Sequence, residues 1–304
     1  MTPELKEALQ KQPTAALSLW QRGSLLLEHG PQDYKFLCHS MRKSFLAALI
    51  GIEVEAGRMD LGKTLEELGI DDNEGLSPVE RRATVYDLLT ARSGIYHPAG
   101  YETDWMRMIK EKRHSHAPGT FWCYNNWDFN ALGTIYAQAT GHSVAEGFRR
   151  YLAEPLGMQD FSLAGETPDA WLEPFTESRH PAYPFRLSSR DLQLFLQLCL
   201  QQGEWQGKSL LPKGWVQLMT LRNSEAGPHG AYGYMWWLER EGCGLPGVVL
   251  PKGAYFALGA GGHYGMVLPE QQAIVIHRVD TERGAVVTPF EFGRLLNRLL
   301  PLLD

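Results

Sequence analysis

Apolar positions set the first pattern in the chain. Stretches 15–20 and 24–28 are short and apolar, and Gln21-Arg22-Gly23 separates them, which predicts a β-hairpin. In 41–56, Phe45, Leu46, Leu49, Ile50 and Ile52 recur at helical spacing, and Gly57 stops the run. That helix is apolar on most sides, so it is expected inside a domain rather than on its surface. From about 61 to 180, helices alternate with long loops. Ser77-Pro78-Val79-Glu80 has a cap, a first-turn proline and a capping-box glutamate, and Thr84-Val85-Tyr86-Asp87 opens another helix. A third covers 126–140 and closes at Gly141. After a helix at 191–201, strand-like segments crowd the C-terminal third at 232–238, 254–259, 264–268 and 273–279. A final helix spans 290–300.

Strands at both ends of the chain pair most simply in one antiparallel sheet with helices on its faces, an α+β architecture. Residues 1–60 and 181–304 then form a discontinuous sheet domain, and 61–180 form an inserted, mostly helical domain. Their junction is the natural place for a cleft. No internal repeat or low-complexity stretch interrupts this plan.

Composition narrows the function classes. The 304 residues are 44% hydrophobic and 21% charged with a formal net charge of −6, so a sizeable core is possible and global disorder is not expected. No basic run reads as a nucleic-acid patch, and Arg81-Arg82 and 110–113 read as solvated faces. Cys38, Cys123, Cys199 and Cys243 are scattered and form no CxxC, which points to a reduced cytoplasmic protein without structural zinc. The first residues show no apolar leader, and no segment reaches the ~20 apolar residues of a membrane helix.

Three motifs carry candidate chemistry. In Ser40-Met41-Arg42-Lys43, the serine and lysine are three residues apart, and on a helix their Cβ atoms would stand about 5–6 Å apart. The lysine can then lower the cost of deprotonating the serine or a neighbouring base. Equally, Ser40 could cap the helix while Lys43 is solvated. Tyr124-Asn125-Asn126 follows a Pro-Gly turn. A nearby lysine cation would lower the tyrosine pKa and let a phenolate accept the serine proton, while Asn126 could bond both the lysine and a substrate carbonyl. Half-buried aromatic packing explains the same residues without chemistry. Gly259-Ala260-Gly261-Gly262-His263-Tyr264-Gly265 does not spell a dinucleotide motif. Its glycines suggest close approach of a backbone or a ligand, or simply a bulge or tight hairpin.

Together, in this order, the motifs resemble the serine β-lactamase and penicillin-binding superfamily, whose known signature includes S-x-x-K. The similarity is strongest to its class C β-lactamase-like group, with family VIII carboxylesterases and 6-aminohexanoate-dimer hydrolases. The stretches "SMRKSFLAALIGIEVEAGRMDLG", "TVYDLLTARSGI", "PGTFWCYNNWDFNALGTIYAQATG", "EPLGMQDF", "HPAYPFRLSSRDL" and "YGYMWW" carry the likeness over nearly the whole chain. The resemblance implies a β-lactamase/transpeptidase-like fold. It makes Ser40 the acylated nucleophile, Lys43 the motif lysine, Tyr124 the acylation base and Asn126 the motif asparagine. The third motif departs from Lys-Thr-Gly: the matching place holds Ala260-Gly261-Gly262, and Lys252-Gly253 comes too early and lacks the threonine. That departure weighs against recognition of a β-lactam carboxylate and leaves an oxyanion hole from the N–H groups of Ser40 and His263.

The expected protein is a cofactor-free, metal-free serine hydrolase. Its substrate is a small ester or amide, with carboxylesterase activity first. The alternatives are a β-lactamase, a penicillin-binding-type D-amino-acid amidase or peptidase, and a silent penicillin-binding-like binding module. Oligomeric state is left open. Three other features are read as structural. Gly141-His142-Ser143-Val144-Ala145 misses the nucleophile-elbow pattern, the pair His114 and His116 lacks further ligands at metal spacing, and Asp128 favours a helix N-terminus.

Overall fold

The computed structural model describes residues 3–303. Met1 and Thr2, which begin the segment read as lacking a leader, lie outside the described residues, as does Asp304. Helix α1 (Pro3–Gln10) leads into the expected hairpin of β1 (Thr14–Gln21) and β2 (Ser24–His29). Helix α2 (Arg42–Glu55) is buried at every residue from Arg42 to Gly51, as its all-round apolar sequence requires. Helices α3 (Val85–Leu89), α4 (Asp104–Ile109) and α5 (Asn126–Thr140) mark the helical segment, and α6 (Ser189–Leu200) returns the chain to the sheet.

The sheet is completed by β3 (Ser224–Glu225), β4 (Ala231–Tyr232), β5 (Trp237–Leu238), β6 (Tyr255–Gly259), β7 (His263–Leu268) and β8 (Ala273–Val279). Helix α7 (Pro289–Leu299) follows. The eight strands run in the order β2-β1-β8-β7-β6-β5-β4-β3, and every neighbouring pair is antiparallel. Successive residues of a strand face opposite sides. Accordingly, Tyr264 of β7 stacks on Phe292 of α7 at 4.0 Å. Its neighbour Gly265 faces Met41 and Leu196 so closely that a Cβ there would lie 3.0 and 3.1 Å from their side chains. Helices α2 and α6 therefore cover one face and α7 the other. Phe45 of α2 packs against Phe148, Phe185 and Phe195 at 4.9–5.7 Å, joining the helical segment to the sheet segment in one apolar cluster. Truncating such a ring to alanine costs about 3–5 kcal/mol.

Two local expectations are corrected. Residues 232–238 do not form one strand. The chain reverses between β4 and β5 with Met235 at φ 58°, and the turn is held by Gly233 N–H on Trp236 O at 2.9 Å and Tyr234 N–H on Met219 O at 2.9 Å; Gly233 lies so close to that Met219 carbonyl that a Cβ would sit 2.1 Å from it. Ser77 and Glu80 do make the reciprocal capping bonds, at 2.7 and 3.3 Å, but they start only a 3-10 turn, Glu80–Arg82, before the chain extends at Ala83. No helix among the described residues is long and apolar enough to cross a membrane.

Candidate active site

Ser40 lies in a 3-10 turn, His39–Met41, that runs directly into α2. His39 takes a positive φ of 48°, a conformation costly for a side chain with a Cβ, and its Nε2 is held 2.8 Å from Thr281 Oγ1. Ser40 does not cap the helix with its side chain. Instead Lys43 Nζ lies 2.8 Å from Ser40 Oγ and 2.7 Å from the Tyr124 hydroxyl. The lysine is not solvated either. It is 1% exposed, with its ammonium position 4.5 Å from the Tyr124 ring centre and 4.6 Å from that of Phe129. Of the two readings of S-x-x-K, the arrangement of side chains matches the one with Ser40 and Lys43 paired.

Tyr124 arrives from the loop before α5, whose first turn is capped by Asn125 Oδ1 on the Asp128 N–H at 3.2 Å. Electrostatics at the pair differ from the expectation of a lowered tyrosine pKa. Burial pushes the Tyr124 phenol up to about 12, against the opposing effects of a hydrogen bond with Ser40 and the charge of Arg42. Burial also pushes the Lys43 ammonium well below its ordinary value, and the neighbouring Arg42 charge adds to this while Glu102 opposes it. The physical reason is desolvation: neither charged form keeps its hydration shell in this enclosed position. Both groups are thus held towards neutrality.

Asn126 is also placed differently from expectation. Its Nδ2 donates to Gly100 O at 3.1 Å and Tyr101 O at 2.6 Å, not to Lys43 or the open cleft. It ties down the loop that leads into α4. Asp128 is fully buried; the Ser93 hydroxyl donates to it at 2.5 Å, and burial raises its pKa well above the ordinary range. It stands in the first turn of α5, as the helix N-terminus reading expects, and the Ser93 bond is added to that place. Ser143 caps the short helix that follows Gly141, and His116 stacks on Phe121 at 3.9 Å.

On the other side of Ser40, the end of β6 turns through Ala260-Gly261-Gly262 into β7. Both glycines are dictated by the backbone. Gly261 and Gly262 have φ of 83° and 104°, and a Cβ on Gly262 would lie 2.6 Å from the Val287 carbonyl. Gly259 brings the strand end against the serine turn, since a Cβ there would meet Cys38 O at 2.6 Å. His263 was expected to offer its backbone N–H, and its side chain turns inward. It stands opposite Gly259 in the ladder with its ring fully buried, packed on His39 at 5.3 Å and accepting from Arg278 Nε at 3.1 Å. It does not line the cleft, whereas Ala260 does.

That cleft is a cavity of about 330 Å³ that begins at Ser40 and Tyr124. Its walls come from Phe256, Leu258, Leu245, Pro246 and Val287, with Trp105 and Trp237 on the Tyr124 side. Among the described residues, no Lys, Arg, Asp or Glu lines it. His229 does, and burial lowers its pKa, favouring the neutral ring. Lys252 precedes β6 and stands at the strand end away from Gly259, so it cannot supply the missing cation.

With this geometry in place, comparison with known proteins is decisive for the family. A family model described as Beta-lactamase matches residues 4–287. The chain belongs to the beta-lactamase family. Esterase EstB from Burkholderia gladioli is 28% identical over 113 residues, a match that takes in 37% of this chain and 28% of EstB. This match spans well under two thirds of that relative's length. Among solved structures, a Bacillus anthracis protein described as a 6-aminohexanoate-dimer hydrolase superposes with a TM-score of 0.75 at 20% identity, covering 99% of this chain and 83% of the other. The octameric penicillin-binding protein homologue from Pyrococcus abyssi superposes with a TM-score of 0.71 at 19% identity, covering 98% and 77%. These likenesses establish a β-lactamase-like α+β fold.

Sequence reasoning did not single out Arg42, Phe129 or His229 as parts of this site. Arg42 adjoins Lys43 in the chain, whereas Phe129 reaches the lysine only through the packing of α5 on α2. Ala260 stands in the place matched to Lys-Thr-Gly, but its N–H was not named there as a donor.

Proposed function

We propose that this protein is a serine hydrolase acting through an acyl-enzyme on small uncharged esters, with small linear amides next. The observation that carries the reading is Lys43 Nζ held between Ser40 Oγ and the Tyr124 hydroxyl, at 2.8 and 2.7 Å, at the mouth of an apolar cavity. The neutral Lys43 amine accepts the Ser40 proton as Oγ attacks the substrate carbonyl. The backbone N–H groups of Ser40 and Ala260 stabilise the oxyanion, and losing one such donor costs on the order of 10²–10³ in rate. The proton then passes from Lys43, directly or through the Tyr124 hydroxyl, to the departing oxygen or nitrogen. Water enters, the same amine takes its proton, and the acid leaves with Ser40 restored.

Three features favour esters over β-lactams. The cavity offers no cation for a carboxylate, the strand end lacks Lys-Thr-Gly, and the volume lies at the low end of the ~300–1,000 Å³ range of ligand sites. We assign the protein to the cytoplasm on the strength of four free cysteines, and we assign residues 61–180 to the helical insertion that walls the cleft. The experiment is an assay of p-nitrophenyl esters, small linear amides and a chromogenic cephalosporin with wild type and Ser40→Ala, paired with intact-protein mass. Ester turnover with an acyl adduct on Ser40 is the expected result. Activity that survives in Ser40→Ala overturns the reading.

A further inference from the structure

A second cavity, of about 690 Å³, adjoins the first, and Trp105 and His229 line both. Their rings meet edge to face at 5.9 Å, forming a shared wall. The second cavity begins at Trp122 and Cys123, immediately before Tyr124 in the chain. Through the shared wall of Trp105 and His229 it adjoins the cavity that holds Ser40 and Tyr124, and it offers room for the half of a substrate that the apolar cavity does not take. The apolar cavity is lined instead by Phe256 and Leu258 of β6 and by Leu245, none of which lines the second cavity.

The chemistry of the two cavities differs. Aromatic faces remain open in the second: Trp105 is 41% exposed and Phe121 39%, with His116 covering one side of the Phe121 ring. Charged groups surround them in balance. Arg92 and Arg222 are matched by Glu111 and Glu225, and Arg222 pairs with Glu225 at 3.0 Å. Arg92 spends its guanidinium on the carbonyls of Asn223 and Gly119. Ser224 is 7% exposed, and its hydroxyl has no hydrogen-bond partner among the described residues. Flat apolar faces ringed by both donors and acceptors, without net charge, suit a neutral ring bearing hydroxyl groups. Its C–H face rests on the aromatic rings and its hydroxyls meet the polar rim.

We propose that this second cavity binds the leaving-group half of the substrate, and that this half is a hydroxylated, sugar-like ring. The acyl half then occupies the apolar cavity. The proposal rests on the ester-hydrolase reading for its catalytic consequence, though not for binding itself. The reaction is hydrolysis of the acyl–oxygen bond: Ser40 takes the acyl group, the sugar oxygen takes the proton, and water later releases the acid.

The test compares ethyl butyrate with 6-O-butyryl glucose on wild type and Phe121→Ala, alongside saturation-transfer NMR with methyl glycosides of glucose, galactose, mannose and xylose. Phe121 touches neither Ser40 nor Lys43 and lies outside the apolar cavity. The expected result is a higher kcat/KM for the sugar ester in wild type, reduced about tenfold by Phe121→Ala while ethyl butyrate is unchanged, as a contact worth ~1.4 kcal/mol requires. Equal kcat/KM on the two esters, or an equal fall in the variant, overturns the proposal. If wild type turns over neither ester, the hydrolase reading has failed and the NMR decides the subsite alone. Glycoside signals that weaken in Phe121→Ala support it, and the absence of signal from every glycoside in wild type overturns it.

Discussion

The Lys43 amine and the Tyr124 hydroxyl stand 2.7 Å apart in a position closed to solvent, and burial drives both towards their uncharged forms. A phenolate is costly here, whereas a free amine costs far less to bury, and its bonds to Ser40 and Tyr124 offset that cost. Lys43 should therefore matter more than Tyr124. Lys43→Met is expected to lower kcat/KM for a p-nitrophenyl ester by about 10²–10⁴, the usual worth of a general base. Tyr124→Phe should lose less, because the amine still reaches Ser40. Steady-state kinetics of both variants check this, with circular dichroism to confirm folding. A larger loss in Tyr124→Phe than in Lys43→Met would return the role of base to the tyrosine.

Arg42 sets the pH range in which that amine is available. Its guanidinium donates to His39 O at 3.0 Å and lies over the rings of Tyr101 and Tyr183 at 5.1 and 5.0 Å rather than against a carboxylate. An unneutralised cation beside Lys43 disfavours a second positive charge, so it lowers the lysine pKa. The sign follows directly. Activity needs the neutral amine and falls as pH drops through the Lys43 pKa. Removing Arg42 raises that pKa, so the acid limb of kcat/KM should move to higher pH in Arg42→Gln. A limb that stays in place, in a variant with near-native melting, would show that Lys43 protonation does not govern the rate.

Much of this was readable in the chain, for identifiable reasons. Helix α2 announced itself because Phe45, Leu46, Leu49 and Ile50 recur at helical spacing, and the β1–β2 hairpin because of Arg22-Gly23. Ser40, Lys43 and Tyr124 could be named together because motif order carries information that no single motif does. What failed was local environment. The lysine cation expected beside Tyr124 depends on hydration, and hydration depends on burial by residues as distant as Phe129 and Trp237. Asn126 was given the cleft by position in its motif, yet side-chain direction turned its amide nitrogen to the loop at Gly100. The reversal at Gly233 was hidden because one of the groups that hold the turn, the Met219 carbonyl, lies outside the segment.

The approach of β6 to the serine turn makes Gly259 a sensitive position. A methyl group there would lie 2.6 Å from Cys38 O, a backbone atom that cannot rotate away. Gly259→Ala should separate the strand end from Ser40 and with it the Ala260 N–H from the oxyanion position. A displacement near 1 Å costs about 10² in rate. The expected outcome is a fall of that order in kcat, with a modest drop in melting temperature because the sheet pairing beyond Ala257 is untouched. Unchanged kcat would mean that this strand end does not serve the oxyanion.

Leu258 gives the acyl cavity its length. It lines the cavity from β6, directly beside Gly259, among Phe256, Leu245 and Val287. Leu258→Ala opens space for a longer acyl chain without touching Ser40, Lys43 or Tyr124. Each methylene that gains a fitted apolar surface is worth about 1–3 kcal/mol, or roughly 10- to 200-fold in specificity. Wild type should favour short p-nitrophenyl esters, and Leu258→Ala should move the optimum by one or two carbons while slowing the acetate ester. The same substitution should leave binding of methyl glycosides intact, because Leu258 faces only the first cavity. A preference that shifts on the leaving-group side instead, with acyl-chain dependence unaltered, would exchange the assignments of the two cavities.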